Sequence, residues 1–425
     1  MLKTLLLFFL LTPAAFGITL KEAERLAELE HPLVKELEQT QESLKLQQKT
    51  VERQRWGTVE LNGGYSTYNR NYMLVPLSHL PTPLNQPPFD SRKAFYGLSL
   101  RVPLYTGGSI PARVKVLKAR KLALKSLKRA TKWQLKFNVD SVYLSVLALK
   151  AQEAALEDYR RSLLKLREDT EAGVKVGKFA KVDLLKVEYR LKEVEGELES
   201  VRARKEALIE ALSALVGRKV KGVEEVKFTY RPERPSIEKL YREAVRRNSR
   251  IESLRREVSA ARAERGVVEA KFGVKLSLEA KYLRNYGLDS GENEGYGEAS
   301  VVVSFPVFTA GRKGLELLQN GREVLQKLYR LKAAERDLKR EIADAVSELK
   351  KLQSQIEADR KKLTLAKEVE RIEQLKYKSG KGDMDHLLLA KSERFLTEAQ
   401  LKSLYYRWLI AKRRIEAILE VNDER

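Results

Sequence analysis

Four stretches of the chain alternate apolar and polar residues with period two. In residues 94–104, Tyr96, Leu98, Leu100, Val102 and Leu104 fall on one face and Gly97, Ser99 and Arg101 on the other. Residues 298–307 set Ala299, Val301, Val303, Phe305 and Val307 against Glu298, Ser300 and Ser304. Upstream of each lies a partner stretch. Val59, Leu61 and Tyr65 oppose Glu60, Asn62 and Ser66, and Val274, Leu276, Leu278, Ala280 and Tyr282 oppose Lys275, Ser277, Glu279 and Lys281. Such alternation predicts strands. A length of about 10 residues suits a tilted transmembrane strand with lipid on one side and water on the other, and equally a hairpin packed on a soluble core. Barrel closure separates the two only with oligomerisation. Four strands cannot close and lipid does not tolerate an open edge, so a membrane reading requires the chain to pool strands with copies of itself.

Elsewhere the pattern is helical and duplicated. Residues 101–108 (Arg-Val-Pro-Leu-Tyr-Thr-Gly-Gly) return as residues 304–311 (Ser-Phe-Pro-Val-Phe-Thr-Ala-Gly), with Pro103 and Pro306 offset by 203. The same offset carries Gly177 to Gly380 and Leu184-Leu185 to Leu387-Leu388. It also carries Leu135, Val139, Val142, Val146 and Leu149 onto Leu338, Ile342, Ala345, Leu349 and Leu352, with spacings of 4, 3, 4 and 3 in both copies. That is coiled-coil spacing. Upstream the offset grows to 216 at Trp56-Gly57 and Phe272-Gly273, so 13 additional residues lie between Gly57 and Pro103. The proline-rich residues 75–88 account for them as a longer loop. Each copy reads helix, strand, loop, strand, very long helix, tight turn, helix, over 18–225 and 226–425, with residues 218–235 as a mixed linker. Ser109, just before Pro111, is the expected N-cap of the first long helix. At 1.5 Å per residue each long helix would extend roughly 95–100 Å, more than a compact domain of this size needs.

The chain has 425 residues, no cysteine and only His31, His79 and His386, which excludes a disulfide framework, a thiolate metal site and a His cluster for zinc. Lys and Arg number 82 against 59 Asp and Glu, a formal charge of +23. By itself that balance suits nucleic acid, an anionic membrane surface or a solvated helical surface. The first residues change the weighting. Lys3, an apolar run to Leu11, Pro13 and the small-residue pattern Ala15-Phe16-Gly17 read as a secretory signal peptide, residues 1–17, cleaved after Gly17. No later run is long enough for a transmembrane helix. From Pro111 to Val139 there are ten basic residues and no acidic one. A solvated face, attraction to lipid headgroups and a basic lumen each account for that stretch.

Together these residues resemble the TolC-like outer-membrane efflux proteins. The resemblance covers essentially the whole mature chain. It rests on the opening Thr19-Leu20-Lys21-Glu22-Ala23 with His31-Pro32, on the strand-to-helix junctions at Pro103, Gly107 and Gly108 and at Pro306 and Gly311, and on both glycine turns. It implies a mixed α/β membrane protein, a homotrimer whose four strands per chain make a 12-stranded β-barrel continuous with a long α-helical coiled-coil tunnel across the periplasm. It also implies hairpin tips at Gly177, Lys178, Gly380 and Lys381 that contact a periplasmic adaptor bound to an inner-membrane pump. By the same resemblance Tyr377 and Asp183 form a gate, with His386 at one of two positions where the family places a constriction aspartate. Leu389 occupies the other, and Gly382 stands where the family has a gate arginine. A channel lacking those fixed charges is expected to be unselective or to lean towards anions. The absence of cysteine excludes the lipid-anchored branch of the family.

The leading expectation is therefore a passive exit duct in the outer membrane of a Gram-negative-type bacterium, with no cofactor and no nucleic acid. The outer-membrane component of a type I protein secretion system is an alternative within the same fold. A structural or nucleic-acid-binding coiled coil is a more distant one, supported by charge and opposed by the leader and the strands. An enzyme is not expected. No nucleophile–base arrangement, phosphate-binding glycine loop or metal-ligand spacing is present in the sequence.

Overall fold

The computed structural model describes residues 17–76 and 89–421. The leader up to Phe16 and residues 77–88 of the proline-rich loop lie outside the described residues. In chain order the elements are α1 (Leu20–Glu30), α2 (Pro32–Arg53), β1 (Thr58–Met73), β2 (Phe89–Tyr105), α3 (Ser109–Lys175) and α4 (Lys181–Val216). They are followed by α5 (Ile237–Arg247), α6 (Ser249–Lys271), β3 (Lys275–Gly287), β4 (Asn293–Ser304), α7 (Arg312–Lys378) and α8 (Met384–Leu419). Both long helices have 67 residues and both return helices have 36. Among the described residues no helix is long and apolar enough to cross a membrane. Two compact units result, each drawing on both halves of the sequence: Met1–Leu37, Leu127–Ile251 and Ala334–Arg425 form one, Glu38–Ser126 and Glu252–Ala333 the other.

The second of these units holds one antiparallel sheet in the order β1-β2-β3-β4. Its strands run 16, 17, 13 and 12 residues, longer than their alternating cores alone suggest. Register aligns the apolar positions into rows across the sheet: Leu61 faces Leu98, which faces Tyr282, and Val102 faces Leu278, which faces Val301. Leu61, Leu98, Tyr282 and Val301 stay in the open, Leu61 at 79% exposure, while Val102 and Leu278 are half-buried. The other face is polar and internally paired. Arg101 meets Glu279 at 3.1 Å, Lys281 meets Glu298 at 2.7 Å, and Asn62 donates to Ser99 Oγ at 2.7 Å. Below the sheet α6 is tied to its neighbours by buried polar side chains. Ser253 donates to the Ala123 carbonyl at 2.9 Å, and Asn320 to that of Ala261 at 3.0 Å.

The strand boundaries agree with expectation at β2 and correct it at β4. Pro103 lies inside β2, where the register shifts between Pro103 and Tyr105, whereas β4 stops at Ser304, so Phe305 and Val307 are not strand. A proline offers no N–H to a ladder. On β2 a bulge absorbs the loss, and on β4 the strand ends before Pro306. The single N-terminal helix expected in each copy is also two helices. α1 ends at His31, whose backbone is extended and whose Nδ1 accepts from Leu33 N at 3.3 Å. α5 ends at Asn248, whose Oδ1 accepts from Arg250 N at 3.1 Å and Ile251 N at 3.2 Å. The first break is visible as His31-Pro32; the second lacks a proline and depends on the asparagine's side-chain cap.

The helical unit contains two apolar clusters. In one, α1, α3, α4, α7 and α8 converge on Val139, Tyr143, Leu349, Leu404 and Trp408. Several heptad positions chosen from sequence belong to it: Leu135, Val139, Val146, Leu349 and Leu352 are buried, with Val142 packed against them. Tyr143 donates its hydroxyl between the carbonyls of Ile18 and Glu224, 2.8 Å from each. Ile18 also forms a parallel bridge with Val223, so the linker is held by the start of the described chain. The second cluster gathers Tyr159, Leu163, Val187, Leu191, Tyr377, Leu387 and Phe395 towards the hairpin turns.

Candidate channel gate and hairpin tips

The junctions that lead from sheet to helix depend on left-handed backbone. Gly107 and Gly108 have φ of 64° and 82°, and the matching Ala310 and Gly311 have 49° and 74°. Ser109 is the first residue of α3 and not its cap; the Thr106 hydroxyl instead accepts from Ile110 N at 3.5 Å. Two consecutive positive φ values reverse the chain so sharply that the capping side chain must come from before the glycines.

Each long helix ends in a Schellman turn. Lys178 N donates to Gly173 O at 2.8 Å and Gly177 N to Val174 O at 3.1 Å; Lys381 N donates to Lys376 O and Gly380 N to Tyr377 O, each at 3.0 Å. Gly177 and Gly380 both have φ of 73°, with open space where a Cβ would stand. The turn conformation thus accounts for glycine at both positions. Lys178, Lys381 and Val176 are exposed around them.

The two tips use opposite small–large pairs. In the first, Phe179 folds over Gly173, and a Cβ on Gly173 would come within 2.0 Å of its ring. In the second, the positions at the 203 offset are Lys376 and Gly382, and a Cβ on Gly382 would meet Lys376 Cβ at 2.8 Å. Bulk and glycine have exchanged places. The consequence is a link between hairpins: the Phe179 ring stacks on Tyr377 with centroids 4.8 Å apart.

Tyr377 is 6% exposed, and among the described residues its hydroxyl has no hydrogen-bond partner. Burial pushes its phenol up to about 12, with Thr170 nearby opposing and the carboxylates of Asp183 and Asp383 adding to the shift. Asp183 therefore acts on Tyr377 through its charge, and no hydrogen bond joins the two in the single chain. His386 is exposed on α8 with Nδ1 3.9 Å from Asp383, and Leu389 is 67% exposed. Asp385 is engaged elsewhere: Lys186 reaches it at 2.6 Å and joins α4 to α8. The hydrogen bond that Lys186 donates to Asp385 raises its ammonium above the ordinary value, although burial opposes.

Sequence reasoning missed the groups that tie the hairpins together. Arg190 of α4 donates to Tyr159 at 3.1 Å, Glu193 at 2.7 Å and the Ser392 hydroxyl. Lys391 of α8, buried, meets Ser162 at 3.0 Å and Glu370 at 3.1 Å. No local motif marks these residues, which are charged positions on long charged helices. Only the repeat offset, which places Arg190 next to Glu393 and not beside another arginine, distinguishes the two return helices. Among the described residues no group of His, Asp and Glu is placed to hold a metal ion.

The sheet has an exposed apolar face and a paired polar face, and both 67-residue helices end in glycine turns that lead into return helices. A family model described as outer membrane efflux protein matches residues 58–218 and 240–420. No match is found among curated proteins. Among solved structures, the outer membrane protein VceC of Vibrio cholerae is 18% identical, with a TM-score of 0.74 over 95% of this chain and 97% of that one. The outer membrane channel CmeC of Campylobacter jejuni is 15% identical, with a TM-score of 0.72 over 94% and 85%. The open state of MtrE of Neisseria gonorrhoeae is 16% identical, with a TM-score of 0.71 over 94% and 88%. The chain belongs to the outer membrane efflux protein family, whose members are outer-membrane channels and not enzymes.

Proposed function

We propose that three copies of the chain close a 12-stranded barrel and form the passive exit duct of a tripartite efflux system. One observation carries this reading: the sheet exposes its apolar rows while ending on two open edges, β1 and β4. In lipid every backbone donor and acceptor on those edges must be paired. With four antiparallel strands per chain, β4 of one copy and β1 of the next run in opposite directions, so the ladder continues round the barrel without a change of pairing type. Four strands fall short of the roughly eight in the smallest barrels, and three copies exceed it.

At the other end of α3 and α7, the Gly177-Lys178 and Gly380-Lys381 turns offer bare backbone flanked by cations as contacts for a periplasmic adaptor, which connects the duct to an inner-membrane pump. Tyr377, Asp183 and His386 stand at that end as the gate. Energy comes from the pump. The test is photo-crosslinking from probes at Lys178 and Lys381 in intact cells, with the mass of the detergent-extracted protein measured in parallel. A trimer that captures an adaptor supports the reading, and the pump captured with it distinguishes small-molecule efflux from polypeptide secretion. A monomer, or a trimer captured by no envelope protein at either tip, refutes it.

A further inference from the structure

The strand-to-helix junctions carry a charge pattern that duct function does not explain. The four segments that adjoin the sheet on its helix side, residues 53–57, 106–115, 271–275 and 305–313, contain eight Lys and Arg and no Asp or Glu. At the opposite, loop end, the described residues 66–73, 89–93 and 284–294 contain four basic and four acidic residues. There the charges are largely absorbed locally: Arg92 pairs with Asp289, and Asp90 accepts from the Ser290 backbone and hydroxyl at 2.9 and 2.8 Å. The sheet is therefore electrically asymmetric from end to end.

The basic groups are exposed and flank the strand ends in sequence. Arg53 and Arg55 precede β1, Arg113 and Lys115 follow β2, and Arg312 and Lys313 follow β4; all six are exposed. Each lies at most ten residues from a strand end in sequence. Exposed aromatic residues stand between them and the apolar rows. Trp56 is 77% exposed, Tyr105 52%, Phe305 56% and Phe308 87%. Apolar rows, then aromatic side chains, then long cationic side chains is the order in which a bilayer passes from hydrocarbon through interface to charged headgroup.

The basic stretch of α3, residues 111–139, divides here. Further along it, Arg120 pairs with Glu264 at 2.6 Å, Lys132 with Glu28 at 3.4 Å and Lys136 with Glu24 at 3.3 Å. Those cations belong to the packing of the helices. Arg113 and Lys115 have no acidic residue in their own segment; of the other rim cations, Lys271 and Arg312 meet Glu316 of α7 at 2.7 and 3.9 Å.

We propose that the helix-side rim of the sheet is a binding belt for anionic glycerophospholipid headgroups of the periplasm-facing leaflet, which fixes the depth of the barrel in the membrane. The proposal rests on the sheet being a membrane wall. The phosphate of such a lipid is a fixed negative charge at the depth of the arginine and lysine heads, with its acyl chains against the apolar rows. A zwitterionic headgroup carries a compensating ammonium and is held less well. Each Lys or Arg near an anionic surface enriches acidic lipid about fivefold.

Trp56, next to Arg55, is a native reporter at this level. The full-length protein is reconstituted at low salt in phosphatidylcholine vesicles containing either brominated phosphatidylglycerol or brominated phosphatidylcholine at equal content. The contribution of Trp133 and Trp408 is subtracted with the W56F variant. Phosphatidylglycerol is expected to quench Trp56 at least about twofold more strongly than the zwitterionic lipid, and high salt is expected to remove the difference, because screening shortens the reach of the rim charges. A fourfold variant, Arg113→Gln, Lys115→Gln, Arg312→Gln and Lys313→Gln, is expected to lose the preference while keeping ordinary quenching by brominated phosphatidylcholine, which also shows that it has inserted. Equal quenching by the two lipids in the unmodified protein overturns the belt and leaves the barrel standing. Absence of quenching by either lipid overturns both.

Discussion

The packing of Phe179 over Gly173 makes a test of the tip with an unusual sign. Gly173→Ala in a helix is ordinarily favourable by about 1 kcal/mol. Here the new Cβ would stand 2.0 Å from the ring, so Phe179 must move. Overpacking of this kind costs about 1–3 kcal/mol. The displaced ring also leaves Tyr377, forfeiting a stack worth about 0.5–1.5 kcal/mol. The net effect is a local destabilisation of about 1–3 kcal/mol. Once Phe179 is removed, the same alanine has nothing to strike. Gly173→Ala in a Phe179→Ala background is therefore expected to stabilise by about 0.5–1 kcal/mol, and the cycle yields a coupling of about 2 kcal/mol or more. Amide exchange at Lys178, whose N–H donates to Gly173 O at 2.8 Å, reads the local opening directly. Exchange about tenfold faster in the single variant, reversing in the double, is the expected result. In planar bilayers the single variant and Phe179→Ala are also expected to leak more in the closed state, because both free Tyr377 from its inter-hairpin contact. Equal effects of Gly173→Ala with and without Phe179 would refute the packing argument.

Three further outcomes follow from individual sites. Ala310 is held at φ 49° where its counterpart is Gly107, so Ala310→Gly is expected to raise the thermal midpoint slightly, by about 0.5–1 kcal/mol in stability. Gly107→Ala should lower it, because a Cβ there would also stand 2.9 Å from the Ala270 carbonyl. Asp140 is buried beside Glu24, and burial pushes its carboxyl up to about 8, with Glu24 adding to the shift and Arg413 and Lys136 opposing. The folded protein holds a proton that the unfolded chain has released, so this group's contribution to stability falls as pH rises from about 4 to about 8, by up to about 1.4 kcal/mol per unit. Thermal unfolding at pH 5 and pH 8 should show Asp140→Asn losing that fall. Lys391 and Glu370 are a buried pair, 7% and 15% exposed. Glu370→Ala strands the ammonium and is expected to cost about 3–5 kcal/mol, while the joint replacement Lys391→Met with Glu370→Leu costs less, as measured by denaturant unfolding of the detergent-solubilised protein.

How far the residues alone led can be judged element by element. Period-two alternation located all four strands, and the 203-residue offset located both tips and both junctions, because these features are local and were duplicated with their spacing intact. The heptad positions Leu135, Val139 and Leu349 proved to be core because a seam that must face a neighbouring helix repeats along the chain whatever the partner is. Local pattern failed where geometry depends on a second element. Phe305 and Val307 alternate like strand residues, yet the ladder ends at Ser304, before the proline that offers it no donor. Nothing around Asn248 announces a break until its side chain is seen capping the next helix.

The candidate gate shows the division most clearly. Tyr377 and Asp183 were reached through motif position, but what holds Tyr377 is Phe179, nearly two hundred residues earlier, stacked in place because Gly173 leaves room. Asp385, one residue from His386, is committed to Lys186 on the other hairpin. Helical periodicity records that a side chain faces a neighbour; it does not record which neighbour, since any helix presenting the same stripe satisfies it. The choice among partners lies in steric fit and charge pairing between residues far apart in the chain, and those are settled only when the helices pack.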